Sequence, residues 1–337
     1  MPHIQDILKN SSLWEKYTLQ DESVGDLDSL GRILLKNKNS IEPVVSKYLF
    51  ENGFRIEFPN DKKFAICLTH DIDKAYTSVM RKGINLLRGH LNGRGVLDSL
   101  KDFSSPHMPN CNFKKIMDIE NKFNARSTFF LLALRAGEKD YNYNVESLKN
   151  YTGEIIDRGF EIGLHGGFNA YKNRNSLHEE KIRLEKALNK KIVGFRNHYL
   201  LFDKSITWRI LTEEEFSYDS TLGYPDGVGY RSGLCYPFYP YDVEKDVAHD
   251  IIEFPIVVMD RSLEQYNELK PQDAWSTIKP AIDASEEYGG VITLNWHNIF
   301  MWGDWGKLYE KILNYGVERQ AYLTNCIDLA KIVHGQI

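Results

Sequence analysis

The 337-residue chain, with 42% hydrophobic residues, can bury one barrel-sized core or two smaller ones. Its 42 basic and 47 acidic residues give a net charge of -5 without a long run of one sign, which argues against nucleic acid or anionic lipid as a partner. The four cysteines contain no C-x-x-C pair, so neither a disulfide framework nor a cysteine zinc site is indicated.

The first residues contain neither a basic segment followed by an apolar core nor a cleavage site, and no apolar stretch is long enough to span a membrane. We therefore expect a cytoplasmic protein without membrane insertion. Aromatic residues make up 12% of the chain, including 19 tyrosines. Aromatic faces often hold sugars but also fill barrel cores, so the composition permits a carbohydrate ligand without requiring one.

Residues 1–60 contain a few amphipathic helical patterns and no strand pattern before Phe54. This segment is predicted to be a helical N-terminal cap on a larger domain, residues 61–337, rather than an independent domain. Residues 76–111 form an excursion after the first strand. Residues 223–242, rich in Tyr, Gly and Pro, form a second long connection whose length is typical of a functional loop.

From residue 64 onward, short apolar runs alternate with helical patterns, which predicts parallel strands joined by helical crossovers. Gly159 and Gly289 stand where helix C-caps belong. The predicted strands are 64–69, 127–134, 160–164, 191–195, 216–218, 251–258 and 291–296. The predicted helices are 112–124, 146–158, 176–189, 204–215, 273–288 and 307–317.

The apolar run 64–69 leads into two carboxylates, Asp71 and Asp73. Side chains alternate along a strand with a period of two, so both carboxylates project to the same side. Two carboxylates at one mouth bind a metal or divide acid and base work. An Asp-rich turn after a strand is the structural alternative.

Polar residues also follow the other predicted strands. Parallel strands of a β/α barrel point their carboxyl ends at one face, so these residues are predicted to meet in space. A turn cap remains an open alternative for Asp219, and a helix N-cap is the favoured interpretation of Asp260. The strand-end residues are Asp71, Asp73, His165, Arg196, His198, Asp219, Asp260 and His297.

Six short segments resemble, in order, the signature segments of the polysaccharide deacetylases, carbohydrate esterase family 4. The resemblance covers roughly residues 60–330 and implies a distorted (β/α)7 barrel that removes acetyl groups from N-acetylated sugars with a metal-activated water. Each motif is weak alone, but the ordered set is specific. The segments are 69–73 (THDID), 127–130 (STFF), 161–165 (EIGLH), 194–196 (GFR), 218–220 (YDS) and 294–297 (LNWH).

The resemblance implies a role for each matching residue. Asp71 corresponds to the general base on the attacking water, and Asp73 to the metal-binding carboxylate. His165 matches the first metal-binding histidine. Arg196 matches the arginine that orients the base, and His297 the histidine that protonates the leaving amine.

The sequence departs from the family pattern at the second metal-binding histidine, because position 169 is Asn. A neutral amide oxygen would weaken zinc binding. Either Asn169 is a weak ligand or His198, which follows Arg196 where the family usually has Pro, replaces it, and we rank His198 higher. A mixed Asp and His set suits Zn²⁺, with Fe²⁺, Co²⁺ and Ni²⁺ as alternatives.

Three aromatic residues are candidate substrate contacts: Tyr224, Tyr230 and Trp302. Asp219 corresponds to a motif aspartate that positions the site. We predict a metal-dependent hydrolase acting on an N-acetylated carbohydrate, either a sugar or a sugar-containing biosynthetic intermediate. The alternatives are a catalytically inactive carbohydrate-binding barrel, suggested by Asn169, and an amidohydrolase of a small non-sugar amide or ureide.

Overall fold

The structure is a computed structural model that describes residues 3–22, 27–35, 41–75 and 112–337. The excursion predicted at residues 76–111 lies outside the described residues. None of the described helices is long and apolar enough to cross a membrane.

The strands of the described chain are β1 (Phe64–Ile72), β2 (Thr128–Leu132), β3 (Glu161–Gly166), β4 (Gly194–Asn197), β5 (Tyr218–Asp219), β6 (Tyr241–Asp242), β7 (Val247–Ala248), β8 (Ile252–Glu253), β9 (Ile256–Met259), β10 (Val291–Asn295) and β11 (Ala321–Thr324). Nine of them form one parallel sheet at the centre, in the order β8-β5-β4-β3-β2-β1-β10-β9, and β11 also pairs with β1. The first half of β1 pairs with β11 and its second half with β2, while β10 lies along the other edge of β1. The short strands β6 and β7 form a separate antiparallel pair.

Helices alternate with the strands, as parallel strand pairs require. All nine residues of β1 are buried, so this strand lies inside the core. The α/β class and the distorted barrel predicted from the sequence are confirmed. The helices are α1 (Ile4–Leu8), α2 (Trp14–Tyr17), α3 (Val44–Glu51), α4 (Phe113–Asn121), α5 (Lys149–Asp157), α6 (Arg174–Leu188), α7 (Thr207–Glu213), α8 (Pro271–Glu287), α9 (Gly303–Glu318) and α10 (Cys326–Val333).

The predicted strands are all present, with one division. The run 251–258 is split into β8 and β9, because Pro255 lacks the N–H that a continuous ladder needs. Gly159 and Gly289 follow α5 and α8 with φ angles of 77° and 62°, as predicted for helix ends. The strand β11, the pair β6–β7 and the helix α10 were not predicted.

The N-terminal helices α1 to α3 pack on the barrel. Ile4, Leu8, Tyr17, Val45 and Leu49 are buried in the same apolar cluster as the strands. This shared core agrees with a cap that does not fold alone, while the division at residue 60 stays a prediction of the sequence.

Candidate active site and metal centre

The carboxyl ends of neighbouring strands bring the predicted site residues together. Asp71 lies in β1 and Asp73 just beyond its end, and the strand continues far enough to point both carboxylates to one side. His165 in β3 stands beside Arg196 in β4, its partner in the parallel register. His198 directly follows β4 and His297 lies two residues after β10.

Asp73, His165 and His198 form a buried cluster whose potential ligand atoms all lie within 4.8 Å of one another. Asp73 Oδ1 is 3.3 Å from His165 Nε2 and 3.4 Å from His198 Nδ1, and the two nitrogens are 3.1 Å apart. This carboxylate oxygen is buried and accepts no hydrogen bond from any described residue. A buried acceptor without a donor is costly, and a cation between the three groups would satisfy it.

The protonation states of the two histidines suit metal binding. His165 Nδ1 lies 3.0 Å from the Arg196 carbonyl oxygen, which can only accept, so Nδ1 carries the proton and Nε2 offers a lone pair. Burial lowers the pKa of His198 to about 4, even though Asp73 opposes this shift, and His198 is therefore neutral at pH 7. One carboxylate oxygen and two imidazole nitrogens fit a divalent transition metal.

The two candidates for the last ligand lie in different surroundings. His198 is buried in the cluster, whereas Asn169 is exposed in the turn that precedes α6. The backbone carbonyl oxygen of Asn169 accepts the N–H groups of Lys172 and Asn173, which fixes the turn. This placement favours His198 over Asn169.

Asp71 is held by two donors. Its Oδ1 accepts from Arg196 Nη1 at 2.9 Å, and its Oδ2 accepts from Asn295 Nδ2 at 2.6 Å. Burial alone would raise the pKa of Asp71, but Arg196, together with His165 and His297, outweighs it and lowers the pKa to about 2. Asp71 is therefore an ionised carboxylate. Asn295, which sequence reasoning missed, stood within the quoted 294–297 motif.

His297 is paired with Asp260. Its Nδ1 lies 2.6 Å from Asp260 Oδ1, and its backbone N–H donates to Asp260 Oδ2 at 2.6 Å. Burial lowers the pKa of His297, but Asp260 exceeds this effect and the net shift is upward. His297 Nε2 faces the cluster, 4.0 Å from Asp71 Oδ2 and 3.7 Å from Asp73 Oδ2.

Asp260 corrects the interpretation that favoured a helix N-cap. Its carboxylate holds an imidazole at the site, although one oxygen also accepts the N–H of Arg261. The signal was available, because Asp260 directly follows β9 and thus stands at the carboxyl end of a strand, like the other site residues.

His70 supports the His297 segment from the opposite side of the sheet. Its Nδ1 is 2.6 Å from the Trp296 carbonyl oxygen, and its Nε2 is 2.7 Å from Glu120 Oε1, which also accepts from the Tyr309 hydroxyl. The Trp296–His297 peptide group is thus held at its C=O by His70 and at its N–H by Asp260. His70 is a structural residue rather than a metal ligand, because alternation along β1 turns it away from Asp71.

Asp219 lies behind the site rather than in it. Its carboxyl is buried, accepts from the Thr221 hydroxyl at 2.5 Å and adjoins Glu253. Burial raises the pKa of Asp219, and the nearby Glu253 is a second buried carboxyl. The Thr221 oxygen accepts the Asn197 N–H, so Asp219 supports the chain next to His198 without reaching the reacting groups. Asp219 therefore lies where it can position the site, and it is not one of the groups that contact the reacting atoms.

The three predicted substrate contacts differ in burial. Tyr230 is buried, and its hydroxyl donates to the Ala281 carbonyl at 2.7 Å and contacts Ser285, both in α8, so it is a core residue and the prediction is wrong. Tyr224 is half-buried in the same loop. Trp302 is 50% exposed beside Lys115 and stays a predicted sugar contact.

Tyr199 lies beside the cluster of Asp73, His165 and His198, on the rim of the site. Its ring centroid is 4.0 Å from that of His198, and its hydroxyl donates to Asp140 Oδ2 at 2.9 Å. Its backbone has a φ of 62°, which is strained for a residue with a side chain. Arg32 of the N-terminal cap donates to the Tyr199 carbonyl at 3.0 Å, so the cap stabilises this turn.

Several solved structures share this fold. A protein from Mycobacterium smegmatis assigned as a polysaccharide deacetylase is 18% identical, with a TM-score of 0.58, over 84% of this chain and 94% of that chain. A protein from Pseudomonas aeruginosa PAO1 with the same assignment is 15% identical, with a TM-score of 0.57, over 82% and 93% of the two chains. Puue allantoinase is 15% identical, with a TM-score of 0.58, over 93% and 98%.

No protein-family model matches the sequence, and no curated protein matches it. The likeness is therefore one of three-dimensional structure. The chain shares its fold with these polysaccharide deacetylases and with the allantoinase.

Proposed function

We propose that this chain is a metal-dependent hydrolase that removes an acyl group, most simply N-acetyl, from a sugar or a sugar-containing biosynthetic intermediate. The observation that carries the proposal is Asp73 Oδ1, a buried oxygen that accepts no hydrogen bond from a described residue and lies close to His165 and His198. The ionised Asp71 and the imidazole of His297, paired with Asp260, lie beside it. The fold shared with assigned polysaccharide deacetylases supports the sugar substrate.

Asp73, His165 and His198 would hold the metal. A divalent ion there would polarise the amide carbonyl and lower the pKa of water. The donor set suits Zn²⁺, and Fe²⁺, Co²⁺ and Ni²⁺ are alternatives.

Asp71 acts as the general base in this proposal. The low pKa keeps its carboxylate in the form that accepts a proton, and Arg196 and Asn295 fix its orientation. Its Oδ2 is the oxygen that faces His165 and His297, so we place the proton of the attacking water on Oδ2.

His297 acts as the general acid. Asp260 holds Nδ1 and raises the pKa of the ring, so Nε2 carries the proton towards the reacting groups. Transfer of this proton to the departing nitrogen completes cleavage of the amide, because an amine leaves far more readily than an amide anion.

Acetate release tests the proposal directly. With Zn²⁺ or Co²⁺ added, the full chain should release acetate and a free amine from N-acetylated sugars in equal amounts. Removal of the metal with a chelator should abolish release, and re-addition should restore it. Release that is unaffected by the chelator, or no release from a broad panel of N-acetylated sugars by metal-loaded protein, would refute the proposal.

Two other functions are separated by the same assay. A catalytically inactive binding barrel would bind sugar with the metal absent, but the intact pairs Asp71–Arg196 and His297–Asp260 favour an enzyme.

A ureide hydrolase is the second candidate, because an allantoinase shares the fold over most of both chains. Allantoin belongs in the panel, and its hydrolysis without acetate release would favour this second function.

The Asp260→Asn variant tests the acid. Because Asp260 raises the pKa of His297, the protonated ring persists to higher pH in the wild type. Loss of the carboxylate charge should move the alkaline limb of kcat/KM to lower pH. A full pH–rate profile measures this shift, and an unchanged alkaline limb would remove His297 from the role of acid.

A further inference from the structure

Arg261 has more hydrogen-bonding capacity than the described residues use. It follows Asp260, and its backbone N–H is held by the Asp260 carboxylate at 2.6 Å. Its Nη2 donates to Asp73 Oδ2 at 3.1 Å. A guanidinium has five N–H donors, and this is the one side-chain hydrogen bond of Arg261 in the described part of the chain.

The Nε group of Arg261 is buried and has no hydrogen-bond partner among the described residues. A buried N–H without an acceptor costs free energy, and none of the residues that the structure describes offers an acceptor to this donor. The side chain as a whole is 23% exposed, so Arg261 is accessible from solvent next to Asp73.

Arg196, the other arginine of the site, is different. It is fully buried. Its Nε and Nη2 donate to Ser220, and its Nη1 donates to Thr69 and Asp71. It has no accessible donor for a ligand. Arg261 is therefore the arginine of the site that can bind an anion.

A second cation lies on the same rim. Lys139 is exposed, and its Nζ lies 3.4 Å from the ring centroid of Phe168 and 5.5 Å from that of Tyr199. Burial and Asp140 raise the pKa of Tyr199 to about 12, and the charge of Arg261 opposes this shift, so Arg261 lies within electrostatic range of the same ring. Half-buried aromatic rings beside cations suit a sugar ring that carries a negative charge.

Taking the proposed deacylation as the activity of this site, we propose that the sugar substrate carries an anionic group, a carboxylate or a phosphate, that Arg261 binds through its unused donors. Lys139 contributes a weaker, solvent-exposed attraction. Arg261 thus determines specificity, while Asp71 and His297 carry out proton transfer.

Calorimetry with three related sugars tests this assignment. The probes are N-acetylglucosamine, its 1-phosphate and its uronic acid, titrated into metal-loaded full-length protein with the Asp71→Asn substitution, so that the ligands stay intact. We expect at least one charged sugar to bind about tenfold or more tightly than the neutral sugar, as charge-assisted hydrogen bonds allow. The charged sugar that binds more tightly identifies phosphate or carboxylate as the group.

Substitutions locate the effect. Arg261→Gln and Arg261→Lys should each reduce the ratio of the affinity for the charged sugar to the affinity for the neutral sugar, with the affinity for the neutral sugar nearly unchanged. Arg209→Gln is the matched control, because Arg209 is an exposed arginine in α7 paired with Glu213. This variant should keep the same affinity ratio. Metal content is measured in each variant, since Arg261 contacts Asp73.

Equal affinity for all three sugars, or no binding of any of them, would overturn the inference. So would an equal loss for charged and neutral sugars in Arg261→Gln, which would mean that Arg261 acts only on Asp73 or on the reacting oxygen. Acetate release is scored separately. Equal deacetylation of neutral and charged sugars would support the proposed function and refute this inference. Charge-selective binding without acetate release would support this inference and refute the proposed function.

Discussion

The Asp71→Asn variant should lose on the order of 10³-fold in kcat while it retains its bound metal. The substitution removes the proton acceptor and leaves Asp73, His165 and His198 intact. Acetate release and elemental analysis on the same preparation measure the two quantities. Because the uncharged amide cannot accept a proton from water, a change of pH should not restore the activity.

A matched control uses Asp140, whose carboxylate is 3.7 Å from His198 Nε2 and one-third exposed. Asp140→Asn removes a negative charge near the cluster without touching the base, and should change kcat less than tenfold. A thermal melt of each variant checks folding, because the new amide of Asp71→Asn faces the donors of Arg196 and Asn295. Near-normal activity of Asp71→Asn would remove Asp71 from the role of base.

The His198→Ala variant should weaken metal binding by on the order of 10²-fold or more, whereas Asn169→Ala should leave it nearly unchanged. His198 supplies one of three clustered donor atoms, and Asn169 is exposed in a turn. Competition with a chromophoric chelator measures the dissociation constant independently of catalysis.

The pair of variants discriminates between the two proposed ligand sets. If Asn169→Ala loses the metal and His198→Ala keeps it, the site uses the family's usual position with an amide oxygen in place of the second histidine. His165→Ala serves as the reference, because both ligand sets include His165. Retention of metal in all three variants would place the ion elsewhere.

Sequence reasoning succeeded where local periodicity decides the geometry. The spacing of Asp71 and Asp73 along a strand fixes their common side whatever the rest of the chain does. The alternation of strands and helices likewise predicts the parallel sheet, and the strand ends then bring His165 and Arg196 together. These relations need no knowledge of side-chain packing.

The errors arose where tertiary packing decides. Tyr230 lies in a stretch that reads as a surface loop, yet its ring enters the core and its hydroxyl bonds to α8. Asp260 has the sequence context of a helix cap as well as of a strand end, and its hydrogen bonds to His297 decide between the two. Arg32 is separated by 167 residues from the Tyr199 carbonyl that it contacts, and such a pairing leaves no local pattern.

The strand β11 was missed for a related reason. Ala321–Thr324 is four residues long and begins soon after α9, so its run is too short for periodicity to distinguish strand from turn. Its strand geometry comes from pairing with the first half of β1, the half that β2 leaves open.

The hydrogen bonds of the peptide group between Trp296 and His297 order the histidine before substrate binds. Both of its polar atoms are bonded to side chains, one from each face of the sheet, before any substrate arrives. In the mechanism that we propose, the entropy cost of ordering His297 as the acid is therefore met when the chain folds, and binding a substrate need not supply it. Changes in the buried group of His70, Glu120 and Tyr309 can consequently slow turnover while the affinity for substrate stays the same.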